Sequence, residues 1–140
     1  MIMTFDLLEE IYKKILSDVD SPEQIIIMGD SAGGQISLSF AQYLKKLDLN
    51  QPSHIILSSP VLDATISNPD TAVYEKSDPM LAIPGSKYII KLWSDELPLD
   101  DWRVSPMHGD LNGLGHIIMS IGTKEVLYPD AVKFSKMLEA

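Results

Sequence analysis

Cysteine is absent from the 140 residues. That excludes disulfides, thiolate catalysis and cysteine-ligated zinc together, and it suits a reducing, cytoplasmic setting. Positive charge is scarce: 11 Lys and Arg against 20 Asp and Glu leave a formal charge of −9. No basic face is then available to neutralise nucleic-acid phosphates or anionic lipid, and a small, neutral or weakly polar molecule is the expected partner. Long apolar runs are missing too, so nothing approaches the ~18 residues of a membrane span. The opening Met1-Ile2-Met3-Thr4-Phe5-Asp6 lacks the basic start and apolar core of a signal peptide. The reading is of a cytoplasmic protein. With 45% hydrophobic and 22% charged residues the composition is that of one ordinary domain, residues 1–140, able to bury a core.

Three short Ile-rich runs stand out, at residues 24–28, 54–58 and 116–121. They do not alternate polar with apolar, and each is bounded by Gly, Pro or Ser. Strands covered on both faces of a parallel sheet have this pattern. Helical stretches separate them. Over residues 5–18, Phe5, Leu8, Ile11, Tyr12 and Ile15 fall on one stripe and Glu9, Glu10, Lys13 and Lys14 on the other. A second helix is expected from Ala32 to Leu47, and a last one from Pro129 to Leu138. The fold class is therefore α/β, with a parallel sheet between helices in three α/β/α layers. Residues 61–115 are too many for a simple crossover; they read as a partly helical insertion, with helices near Asp70–Tyr74 and Pro84–Trp93.

Between the first strand and the second helix lies Gly29-Asp30-Ser31-Ala32-Gly33-Gly34, which matches the G-x-S-x-G nucleophile elbow. With glycine at ~7% of residues, a chance match in a chain this long is on the order of one in twenty; the strand before it and the helix after it are the context that gives it meaning. The spacing has a mechanical cause. A strand that turns at once into a helix strains the backbone of the residue at its tip, and side chains two positions away would collide. Glycines at 29 and 33 are expected to clear that collision. Ser31 then stands at a helix N-terminus, where the Ala32 amide can donate to an oxyanion. A phosphate cradle would need a following lysine, and none is present.

The elbow, with Ser59-Pro60-Val61-Leu62-Asp63, Asp78-Pro79-Met80 and Val104-Ser105-Pro106 after it in that order, resembles the hormone-sensitive-lipase-like esterases of the α/β-hydrolase fold. The resemblance runs from residue 5 onward. It implies a carboxylester hydrolase acting on small acyl esters, with a Ser, Asp or Glu, His triad, no metal and no cofactor. In that fold the acid follows the serine, just past a strand. Glu125, in Gly122-Thr123-Lys124-Glu125-Val126-Leu127, matches the position, with glutamate replacing the usual aspartate. Asp130 and Asp63 are alternatives, read otherwise as a first-turn helix acid and a turn cap.

No histidine follows Glu125. His54 and His116 open strands, at the edge of the sheet opposite the ligand crevice, and His108 lies in the loop towards the third strand. The H-G-G-G-type oxyanion loop is also missing upstream. The chain thus resembles the middle of a longer enzyme, and is expected to self-associate or to need a complementing segment. A non-catalytic binding protein on the same scaffold is the competing reading.

Overall fold

The computed structural model describes residues 2–139; Met1 and Ala140 lie outside it. Helix α1 (Ile2–Asp18) leads through a 3₁₀ turn, Pro22–Gln24, to strand β1 (Ile26–Asp30); then come α2 (Ala32–Lys46) and β2 (His54–Ser58). The insertion carries α3 (Thr71–Tyr74), α4 (Ile83–Ser94) and a 3₁₀ turn at Pro106–His108, before β3 (His116–Ser120) and α5 (Tyr128–Leu138). The three strands form one parallel sheet in the order β1-β2-β3, with Ile26, His54 and His116 in one row and Asp30, Ser58 and Ser120 in another.

Two elements are shifted by more than one residue from the sequence reading. Helix α1 starts at Ile2 rather than 5, since neither Gly nor Pro interrupts the preceding residues. β1 is displaced by two residues, because Ser21 caps the Pro22–Gln24 turn through the Glu23 amide and so absorbs Gln24. The strand then runs into Gly29 and Asp30, which keep pairing with Leu57 and Ser58.

One sheet face carries the core. Ile55 and Leu57 of β2 pack with Leu38 and Ala41 of α2 and with Ala131 and Phe134 of α5. Beside them Phe5 and Tyr12 of α1 meet Phe40 and Leu44 of α2, with Phe5 stacked on Tyr43 at 5.4 Å between ring centres. The insertion is pinned to α2 by buried amides: Trp93 Nε1 donates to Gln35 Oε1 at 2.9 Å, and Gln42 Nε2 donates to the Pro106 carbonyl at 2.8 Å. The opposite face is bare. Ile26 and Ile118 are about half exposed and Met28 is 71% exposed, so the described helices supply a covering layer on one side only.

Asp130 is a buried acid at the start of α5, 5% exposed. Burial pushes its carboxyl up, helped by Asp63, while the Asn68 amide at 2.9 Å, Lys133 and His108 pull it down. The net direction is upward. A carboxyl raised above its unfolded value binds a proton on folding, so its ionised form costs stability, and the cost fades as pH falls through the folded pKa. Asp130→Asn keeps the oxygen that accepts from Asn68 and removes the charge. It is expected to raise the thermal midpoint at pH 7 by a few degrees, a gain that narrows towards pH 4. Calorimetry at the two pH values checks this; an unchanged or lower midpoint at pH 7 contradicts it.

Candidate active site

Parallel strands end together, and the loops leaving β1, β2 and β3 meet at their carboxyl edge. The first is the Ser31 turn. Ser31 has φ 55° and ψ −115°, a strained conformation for any residue with a Cβ. It is held by its amide donating to the Ser58 carbonyl at 2.8 Å and its carbonyl accepting from the Val61 amide at 3.2 Å. Ser31 occupies the N-cap position of α2, yet its hydroxyl makes no capping bond. Ala32 is the first helical residue, whose amide has no partner within the helix.

The glycines divide the steric work differently from the expectation. A Cβ on Gly29 would collide with the Gly33 carbonyl, so the strand can approach the helix only as glycine. A Cβ on Gly33 would meet nothing within 4 Å, whereas one on Gly34 would lie 2.8 Å from Pro60 Cβ. The position that needs its glycine on the helix side is Gly34, because the loop after β2 crosses there.

Glu125 sits in the loop after β3. Its Oε1 accepts from the Ser59 hydroxyl at 2.9 Å and from the Gly122 amide at 2.8 Å. Ser31, Glu125, Asp30, Ser59, Asp78 and Met80 are among the residues around one cleft of about 240 Å³. The carboxylate of Asp78 closes one side. Its Oδ1 accepts from the Met80 and Leu81 amides, both at 2.8 Å, and its Oδ2 from the Val126 amide at 2.9 Å. Partial burial pushes this carboxyl up, but the three amides outweigh it and hold it below the usual range. Asp78 thus ties the insertion to the turn that carries Glu125.

The other acids lie elsewhere. Asp63 Oδ1 accepts from the Thr65 amide at 2.9 Å and from its hydroxyl, which is turn capping, and its Oδ2 faces His108 Nε2 at 3.5 Å. Asp130 is bonded to Asn68, away from the cleft. His54 and His116 lie at the amino ends of β2 and β3. Ser59 and Asp78 are the site residues to which sequence reasoning gave no role. Both fall within the family-like stretches quoted above, which was the available signal. No group of three or more His, Asp or Glu with metal-ligand spacing, and no helix long and apolar enough to cross a membrane, is found among the described residues.

A parallel sheet with a strained serine turn at its carboxyl edge, and an acid in the same cleft, is the architecture of the α/β-hydrolase class. Comparison with known proteins agrees: residues 4–140 match the model of an alpha/beta hydrolase fold family. An esterase of Acinetobacter venetianus is 34% identical over 135 residues, 96% of this chain and 45% of that protein. A crystal structure of a candidate esterase from Staphylococcus aureus superposes with a TM-score of 0.93 at 36% identity, over 98% of this chain and 46% of that one. The hormone-sensitive-lipase homologue EstE7 from a metagenome library gives 0.85 at 25% identity, over 90% and 43%. The chain belongs to the α/β-hydrolase-fold family, and its resemblance to hormone-sensitive-lipase-like esterases holds. It spans less than half the length of these relatives.

Proposed function

We propose that the chain carries the nucleophile and the acid of a carboxylester hydrolase. The observation that carries this reading is the strained Ser31, its hydroxyl free of capping duty, in one cleft with a Glu125 that two donors hold in place. In the reaction, Ser31 Oγ attacks the ester carbonyl as a histidine takes its proton. The oxyanion is stabilised by the Ala32 amide, and the alcohol leaves with the proton returned by that histidine. Water then releases the acid by the same path. Glu125 orients the imidazole and stabilises its cation. Asp30, Gly29 and Gly34 shape the turn, and Gly33 extends it into α2. The substrate is a small acyl ester; the histidine comes from outside this chain, and the setting is cytoplasmic. The relatives' names, esterase above all, support the activity.

The test supplies the missing base. Free imidazole should raise hydrolysis of p-nitrophenyl acetate by the chain above the imidazole rate in buffer. Ser31→Ala should remove that excess, Glu125→Gln should lower it, and Asp130→Asn should leave it. If Ser31→Ala retains the excess, the serine is not the nucleophile; if Asp130→Asn loses more than Glu125→Gln, the acid is misassigned.

A further inference from the structure

Two histidines have no part in ester hydrolysis, and the fold sets them side by side. His54 and His116 are register partners at the first positions of β2 and β3, on the bare sheet face, with ring centres 5.5 Å apart. Their backbones are fixed. The Ser53 amide donates to the Ile25 carbonyl at 2.9 Å and the His116 amide to the Ser53 carbonyl at 2.9 Å. Gly115 lets the two strand starts approach, since a Cβ there would collide with the Pro52 carbonyl.

The Ser53 hydroxyl lies 2.9 Å from the Ile25 carbonyl, to which it can donate, and 3.0 Å from His54 Nδ1. When it donates there, the same oxygen accepts from Nδ1, which favours the tautomer with its hydrogen on Nδ1 and a lone pair on Nε2. This is the state in which an imidazole binds a metal, with the other nitrogen donating to an outer partner that orients the ring.

We infer that His54 and His116 form a binding site for a divalent transition ion of the imidazole-preferring kind, zinc in the first instance. The spacing fits. A Zn–N bond of ~2.0–2.1 Å puts the ion about 3.2 Å from each ring centre, and two imidazoles at the tetrahedral angle then have centres about 5.2 Å apart. The rings flank a cleft of about 490 Å³ that Glu23 also lines, and the chain's charge of −9 favours a cation there. With two protein ligands the ion keeps open positions for water. It would join the amino ends of β2 and β3, far from Ser31, as a stabilising clip.

The experiment is calorimetric titration of the untagged chain with zinc chloride, beside its thermal midpoint with and without the ion. One zinc per chain should bind in the micromolar range and raise the midpoint. His54→Ala and His116→Ala should each weaken binding by about tenfold or more, and Ser53→Ala by about tenfold through the lost orienting bond. His108→Ala should change nothing. All three strand-start positions are at least partly exposed, so these variants keep the fold, which circular dichroism verifies. Absence of saturable binding up to millimolar zinc, or binding that survives both histidine substitutions, overturns the inference.

Discussion

Turnover of p-nitrophenyl acetate by the chain alone is expected to lie roughly 10⁴- to 10⁶-fold below the ordinary enzyme range, which starts at about 1 per second. The reason is geometric. Serine is a poor nucleophile until a neighbouring base takes its proton, and the three histidines are all committed or distant. His108 faces the buried carboxylate of Asp63 at 3.5 Å and does not line the Ser31 cleft. His54 and His116 stand at the start of strands whose ends form that cleft. A five-residue strand spans roughly 13 Å, several times the reach of a hydrogen bond. Triad members act as a unit, so one missing member removes nearly all of what the triad contributes. The Ala32 amide and the cleft alone leave a small residue of rate. Steady-state kinetics decide the matter. A turnover near 1 per second that Ser31→Ala and His108→Ala each abolish would show that His108 swings to the serine.

The elbow was legible in the sequence because its constraint is local: Gly29 and Ser31 are two positions apart, and the backbone strain that links them is decided within one turn. The three strands were legible because Ile-rich runs between breakers leave few other options. What escaped was long-range. Ser59 meets Glu125 across 66 residues and Asp78 meets the Val126 amide across 48; nothing in either stretch announces a partner, only the packed insertion brings them there. Gly33 and Gly34 could not be ranked from spacing, since the crowding at Gly34 comes from Pro60 on another loop. The run in β1 reads the same whether one face or two is covered. Ile26 and Met28 look like core in sequence and are surface here.

That bare face leads to the other large effect, self-association at micromolar concentration. The sheet order leaves β1 and β3 each with one unpaired side, and such edges recruit further strands. Next to the β1 edge, Leu8, Ile11, Ile15, Ile27, Met28 and Ile36 are among the residues around an apolar groove of about 310 Å³. Exposed Ile26 and Ile118 add apolar surface on the uncovered sheet face, and contiguous apolar surface marks a contact face. Charge acts against association, because two chains of −9 repel each other. Salt shortens that repulsion, to a range of about 10 Å at 0.1 M and about 3 Å at 1 M, while apolar burial is left intact. The association should therefore strengthen with sodium chloride, the reverse of an ion-pair interface. Met28→Glu and Ile118→Glu place further negative charge on the exposed face without touching the core, and should return the chain to monomer and abolish binding of hydrophobic dyes. A peptide that supplies a complementing strand should do the same by occupying the edge. Sedimentation at low and high salt reads all of these outcomes. A monomer at tens of micromolar in both, with no dye bound, would mean that the exposed face and edges are tolerated in water and that the chain needs no covering partner.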